Sequence, residues 1–502
     1  MARMPAPTQQ RAPGFSWPAA PFTVADELSS YYDTPAEPNN VHVEVRLAGH
    51  LGEAALRRAA HDVLTARPRA RARLVPGRRW RRPAWEYPQQ PDAAVLMRAD
   101  WSDERELGQL REQFLAEAPP LRSSPPLRLL LAAGPQQDCV ILKAHHAALD
   151  GLSCLHLLQD VALSYRGQPV APEPERAGSL DAAGTESARP SKPAAPASES
   201  ATSPAPRSGR RRPGLMWPAV RLPRRAARIA SEQAATRSPG GSAAASSAAA
   251  LPPGHAVPPL PAAPCTTAGG QRRAGYGVVL VRTEVPEPAA WPGATVNDVL
   301  ITALILAISR WNAVRGRTRG LIRITVPIDA RPPGSADATG NLSRLSAITA
   351  EPAATGADVA DLIDNVTSQT RLAKEHQGPQ VSAMHRALAA IPAPAFAKKW
   401  LVRAGLRLAG PLICDTSLLS NLGRVTDPPD FGAPAPAGLW FSTSAHMPRG
   451  LSVGAVTVGG RLHLSFRYRR ALFDHAAAAQ FAACYQAALA ELRAHGRHGP
   501  VS

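Results

Sequence analysis

His145-His146-Ala147-Ala148-Leu149-Asp150-Gly151 is the stretch on which the reading of this chain turns. It follows a run with strand character, Cys139 to Ala144, and precedes a run with helix character, Leu152 to Tyr165. Two adjacent histidines at a strand-to-helix junction, followed at fixed offset by an acid and a glycine, point to a positioned general base. If the strand continues through His146, its side chains alternate. His145 then points with Lys143 and Ile141, and His146 with Ala144 and Leu142. At most one of the pair faces the chemistry, and the other is structural. The small residues Ala147 and Ala148 are expected to leave an approach route beside His146. Imidazole titrates at about pH 6.5, so a good fraction is free base at neutral pH. A neutral Nε2 can take a proton from a hydroxyl or amine attacking a carbonyl, an effect worth about 10²–10⁴ in rate. Asp150 either orients His146 or pairs with an arginine and fixes the loop. Gly151 permits a tight turn into the helix, and its N–H, near a helix N-terminus, is a candidate oxyanion donor.

Outward from this junction, Val41, Val43, Val45 and Leu47 alternate with polar residues, a strand with one apolar face. A helix is expected over Leu51 to Thr65. Further on, strands are expected at Gly277 to Thr283, Ile322 to Pro327, Leu439 to Ser444, Leu451 to Val458 and Arg461 to Tyr468. Helices are expected at Val296 to Val314, Asp358 to Lys374 and His475 to Arg493. Strands and helices recur on both sides of a segment rich in Ala, Pro, Ser and Gly. The economical reading is an α/β fold of two similar halves. The halves run over 21–167 and 274–502. The segment between, 168–273, has too few large apolar residues to offset its ordering entropy and is expected to be a long disordered insert. It holds a basic island at 207–231, where Arg210, Arg211, Arg212, Arg221, Arg224, Arg225 and Arg228 mix with Trp217, Met216 and Leu222. Such a mixture suits either peripheral contact with an anionic membrane or loose packing on its own protein.

The chain has 502 residues, 44% hydrophobic and 19% charged, enough for two core-forming halves. Five scattered cysteines without CxxC spacing argue against a disulfide framework and a zinc site. No metal site is expected, because no second cluster of His, Asp or Glu has ligand spacing. The first 22 residues are broken by prolines and have no apolar core of a signal peptide. The most apolar run, Val299 to Ile308, is far short of a membrane span. A cytoplasmic protein is expected, with any contact at the inner membrane face peripheral. The formal net charge of +18 reflects Arg-rich composition or attraction of an anionic partner. No aromatic-basic recognition motif supports nucleic acid. No nucleophile elbow, P-loop or dinucleotide fingerprint is present.

The heptad matches the HHxxxDG signature, and the chain resembles the condensation-domain superfamily of acyltransferases. That group includes peptide condensation domains, polyketide-associated acyltransferases and wax ester synthase/diacylglycerol acyltransferases. Further stretches look like the family's, in the family's order: Leu51 to Leu74, Thr295 to Leu300, Val326 to Arg331 with Gly340-Asn341, Ser420 to Val425, and Gly459 to Asp474. The resemblance implies two chloramphenicol-acetyltransferase-like lobes forming a pseudo-dimer with a central tunnel, joined by the insert. It implies that His146 is the catalytic base, that His145 is structural, that Asp150 pairs with Arg331, and that Gly151 bounds the donor carbonyl. Ser442-Thr443-Ser444 resembles the hydroxyl motif of carnitine acyltransferases, making Ser442 and Ser444 candidates for the oxyanion, or simply small polar residues in a strand. Asn421 and Asn297 are candidate tunnel residues, although Thr295-x-x-Asp298 also reads as a helix-capping box. Ser420 to Val425 lacks the proline-rich segment usual in wax ester synthases, and Asp430-Phe431-Gly432 is at best a remnant of the DFGWG motif. The activity implied is transfer of an acyl group to a small hydroxyl or amine acceptor. The donor would be a thioester on coenzyme A or a phosphopantetheine arm, with no bound cofactor and an acyl or peptidyl carrier protein as a partner. The alternative is a non-catalytic module of the same fold that binds a carrier protein or tailoring enzyme.

Overall fold

The structure is a computed structural model that describes residues 17–77, 82–172, 275–288, 291–332, 335, 337–352, 359–375, 386–387, 390–391, 393–413, 415–432 and 436–497. The expected insert from residue 173 on, with its basic island at 207–231, lies outside the described residues.

The chain enters through β1 (Ala20–Pro21) and α1 (Val24–Tyr32), whose first turn is closed by a reciprocal cap between Thr23 and Asp26. The alternating run becomes β2 (Asn40–Arg46) and leads to α2 (Glu53–Ala66). Short strands β3 (Arg73–Val75) and β4 (Ala84–Glu86) join β1 in a small three-stranded sheet. Then follow β5 (Leu96–Asp100), α3 (Glu104–Leu115), β6 (Leu127–Ala133), β7 (Asp138–His145) and α4 (Gly151–Tyr165). β7 and α4 are the strand and helix expected on either side of the heptad.

The second half opens with β8 (Tyr276–Glu284) and α5 (Val296–Ala313). It continues through β9 (Ile322–Asp329), β10 (Ser343–Ala350), α6 (Val359–Glu375) and α7 (Ala395–Ile413). It closes with β11 (Ser417–Arg424), β12 (Gly438–Ser442), β13 (Leu451–Val458), β14 (Arg461–Arg469) and α8 (His475–Arg497). A six-stranded sheet runs in the order β10-β9-β11-β13-β14-β8. α5 is apolar almost all round, as a helix buried between a sheet and two neighbours must be.

The five-stranded sheet has the order β12-β2-β7-β6-β5. Its outer strand β12 comes from the second half and pairs antiparallel with β2, Gly438 opposite Arg46 and Ser442 opposite His42. Alternation explains the crossing. Leu439 and Phe441 point into the core with Val41, Val43 and Val45, under α2 and α4. A sequence reading that keeps each strand with its own half has no means of seeing this exchange. Residues of both halves accordingly fall in one compact unit.

The other face of β2 was expected to be simply polar. It is polar and fully buried. Asn40, His42 and Glu44 are all 0% exposed. His42 Nδ1 lies 3.0 Å from Ser442 Oγ, and Arg111 of α3 donates through Nε and Nη2 to Glu44. Burial disfavours an ionised Glu44, but the Arg111 charge and hydrogen bonds, with His42 behind them, hold its carboxyl well below the usual carboxylate range. Hydrogen bonds among His42, Glu44, Arg111 and Ser442 offset the cost of burying those groups, and Asn40 Nδ2 donates to the Leu115 carbonyl.

Candidate active site

β7 ends at His145, one residue past the run read as a strand and one short of an extension through His146. His146, Ala147 and Ala148 form a turn, with Ala148 and Leu149 both donating to the His145 carbonyl. The two histidines therefore separate because the chain turns, not because a strand alternates. His145 is buried. Its Nδ1 accepts from the Ala147 amide at 3.1 Å, so the proton of the neutral ring sits on Nε2, 3.7 Å from Asp33 Oδ2. Burial works against an ionised Asp33, but the His145 ring, the Asn39 amide and Lys399 outweigh it and hold its carboxyl below the ordinary value.

His146 is half-buried. Its amide donates to the Asn39 carbonyl at 2.9 Å. Its Nδ1 is shielded and meets no hydrogen-bond partner among the described residues, so the ring's accessible surface lies away from that atom. Burial pushes its pKa down from the ordinary histidine value, partly opposed by its own backbone carbonyl and by the Asp150 charge. The ring is therefore held as free base at neutral pH. Ala147 and Ala148 are fully buried and belong to the packing under the turn, a correction to the open approach route expected beside His146.

Asp150 makes no hydrogen bond to His146. Its carboxylate is consumed elsewhere. Oδ1 accepts from the Ser153 amide at 2.9 Å, as the N-cap of α4, and from Arg331 Nη2 at 2.8 Å. Oδ2 accepts from the Leu342 amide at 2.9 Å and from Ser343 Oγ at 3.4 Å. Arg331 also donates to Ser153 Oγ, to the Ala338 carbonyl and to Asp329. The Asp150 amide and Ser153 Oγ both donate to the Gly340 carbonyl. Burial opposes ionisation of Asp150, yet the Arg331 guanidinium and these amides hold its carboxyl below the ordinary value. This cluster ties the start of α4 to the segment between β9 and β10. Asp150 thus holds the turn and the start of α4 in place.

Gly151 has a steric reason rather than a conformational one. A Cβ there would lie 2.5 Å from the Phe441 ring and 3.1 Å from Leu422 Cδ2. The first turn of α4 is thereby pressed against β11 and β12. Its first N–H groups carry the partial positive charge of a helix N-terminus.

The remaining expected residues divide. Ser442 Oγ is buried against His42, and Ser444 Oγ accepts from the Asn40 amide and donates to the Pro38 carbonyl. Both serines hold the start of β2 in place. Of the three residues, Thr443 has the buried hydroxyl that meets no partner among the described residues. Asn421 Nδ2 lies 3.5 Å from Asn297 Oδ1, and Asn421 Oδ1 accepts from Gly423, whose φ of 80° shapes a bulge in β11. Asp298 closes the capping box with Thr295 and accepts from Thr370 Oγ1 at 2.6 Å, so it is a structural cap.

Four residues near the histidines had no signal in the sequence. Asn39 bridges the His146 amide to His446, whose Nε2 lies 3.2 Å from Asn39 Oδ1. Tyr276 OH lies 3.4 Å from His446 Nδ1 and also lines a cleft of about 270 Å³ between α3 and the start of β8. Arg467 is wholly buried over the Tyr276 ring and donates to the Asn40 carbonyl, its pKa brought down to about 10 by burial. These groups converge only because β8, β14 and the segment after β12 meet the start of β2. Among the described residues no group of His, Cys, Asp and Glu could hold a metal ion, and no helix is long and apolar enough to cross a membrane.

The fold is that of condensation domains. The first condensation domain of the CDA synthetase superposes with a TM-score of 0.60 at 15% identity, covering 96% of this chain and 97% of that one. The condensation domain of the monacolin K polyketide synthase MokA gives a TM-score of 0.60 at 10% identity, covering 95% and 98%. The SgcC5 protein from Streptomyces globisporus gives 0.56 at 17%, covering 95% and 99%. In sequence, the chain is 29% identical over 487 residues to the uncharacterized protein Rv2305 of Mycobacterium tuberculosis (strain ATCC 25618 / H37Rv), covering 93% of this chain and 97% of the relative. It is equally similar to the uncharacterized protein MT2362 of strain CDC 1551 / Oshkosh. No family model matches.

Proposed function

We propose that the protein is a condensation-type acyltransferase, moving an acyl group from a thioester to a hydroxyl or amine acceptor with His146 as general base. The observation that carries this reading is the state of one ring. His146 is a half-buried imidazole, kept neutral by burial, on a turn pinned to the second half through Asp150 and Arg331. The acceptor O–H or N–H gives its proton to the His146 nitrogen as the heteroatom attacks the thioester carbonyl. The tetrahedral intermediate collapses, the new ester or amide bond remains, the C–S bond breaks, and the thiolate leaves with the proton returned from His146. The Gly151 amide, ahead of the Ser153 amide that Asp150 already occupies, is the candidate donor to the oxyanion. The net charge of +18 suits a phosphorylated donor such as coenzyme A or an acidic carrier protein bearing a phosphopantetheine arm. The basic island at 207–231 is a candidate for peripheral membrane contact in the same reading.

The test is direct. Purified protein is offered acyl-coenzyme A and carrier-bound acyl thioesters with a panel of alcohols and amines. Thiol release and product mass are recorded. Transfer that depends on His146 supports the reading. Equal thiol release from wild type and His146→Ala would refute it.

A further inference from the structure

We propose that the outward face of α7 is a docking surface for an anionic lipid bilayer. Phe396 and Trp400 are 77% and 70% exposed, and Leu401 beside them and Ile391 just before the helix are also exposed. Residues four apart lie one above the other on a helix, so Phe396 and Trp400 form a single apolar ridge. Single exposed apolar residues are ordinary, but two large aromatics stacked on one helix face are not.

The opposite face of α7 is already anchored. Val402 packs into a small cluster with Val24, Leu28 and Tyr31 of α1, and Lys398 Nζ lies 3.3 Å from Glu27 Oε1. The ridge therefore cannot turn inward without breaking that anchor. Its cover has to come from outside the described fold.

The chemistry of the helix selects the cover. From Ala395 to Ile413 the sequence has no acid, and beside Lys398, which is paired with Glu27, it carries the cations Lys399, Arg403 and Arg407. Lys399 Nζ and Arg403 Nη2 both donate to the Asp33 carbonyl, which holds these cations at the flank and leaves the ridge uncharged. An uncharged, convex aromatic ridge with cations at its flank matches the boundary between headgroups and acyl chains, where Trp and Phe insert and Lys and Arg meet phosphates. Each cation near an anionic surface adds to the attraction, as does the chain's net charge of +18.

The same anchor connects this surface to the candidate active site. Asp33 also faces His145 Nε2 at 3.7 Å, and Asp33 Oδ1 accepts from the Asn39 amide, whose carbonyl in turn holds the His146 amide. α7 thus supports, through Asp33, the loop that holds the two histidines.

Full-length protein is sedimented with phosphatidylcholine vesicles with and without phosphatidylglycerol. The expected result is binding to the anionic vesicles only, lowered about tenfold or more in Phe396→Ser/Trp400→Ser, as loss of two aromatic side chains from an apolar medium requires. Trp400→Phe retains binding, and the melting temperature of the double variant stays at the wild-type value because both side chains point outward. The proposal is overturned if anionic vesicles do not bind, or if the double variant binds them as wild type does. It is equally overturned if sedimentation velocity shows a wild-type dimer that the double variant dissociates, because the ridge then belongs to a second copy. None of these outcomes depends on acyl transfer.

Discussion

The Arg331 guanidinium and the Asp150 carboxylate meet at 2.8 Å across 181 residues of chain, with both side chains only 2% exposed. Removing one charge leaves the other buried without a partner, which costs more than losing the pair. We expect Arg331→Met to lower unfolding free energy by about 3–5 kcal/mol in urea titrations. Arg331→Met combined with Asp150→Asn should lose less than the sum of the single losses. Strict additivity would show that the two groups are not coupled.

Changes at the two histidines should separate chemistry from stability. His146→Ala should lower the rate of acyl transfer by about 10²–10⁴ with little change in melting temperature, because the ring is half-buried and its Nδ1 holds no partner. His145→Ala should instead destabilise the protein by about 1–3 kcal/mol, since it removes a buried acceptor of the Ala147 amide. A thermal melt and a thiol-release assay on each variant distinguish the two roles.

The pH dependence has a definite sign. The His146 pKa is lowered by burial, so the base is fully formed at neutral pH. kcat/KM should be flat above about pH 6.5 and fall on the acid side, with an apparent pKa below the ordinary histidine value. Stability should follow the same direction. His42, His146, His446 and His463 are all lowered, chiefly by burial, the last to about 4. The unfolded chain takes up protons first, so stability is lost as pH falls below about 6.5 and through the folded values. Asp150, lowered by Arg331 against the effect of burial, adds stability above its unfolded pKa that is lost as pH falls through its folded value. A melting temperature that rises between pH 7 and pH 5 would contradict the buried neutral histidines.

Gly151→Ala should cost about 1–3 kcal/mol, because its methyl group meets the Phe441 ring. Phe441→Leu in the same chain should recover part of the loss, read by urea unfolding. No recovery would mean that the helix start, not the ring, sets the limit.

The heptad, its strand and its helix were legible because strand, turn and cap signals fall within a few residues of each other. The expected strands at 451–458 and 461–468 and the helix from 475 were legible for the same local reason. The exchange of β12 was not, since nothing in Leu439 to Ser442 says which sheet it joins. The buried face of Asn40, His42 and Glu44 looked like an ordinary polar face, because the groups that cover it, Arg111 and Ser442, are brought in by tertiary structure. Ser442 and Ser444 could be read as reacting hydroxyls or as small polar residues of a strand, and their hydroxyls are spoken for by His42 and by the chain at 38–40. His446, Asn39 and Tyr276 carry no spacing rule at all and meet only where the halves meet.

The loan of β12 sets an order of events for a growing chain. During synthesis, β2 emerges hundreds of residues ahead of the strand that finishes its sheet, and an exposed edge of this kind invites wrong pairing. The amino-terminal sheet cannot be completed until the ribosome has passed residue 442. A fragment ending before that point should be sticky rather than native, however intact its histidine motif.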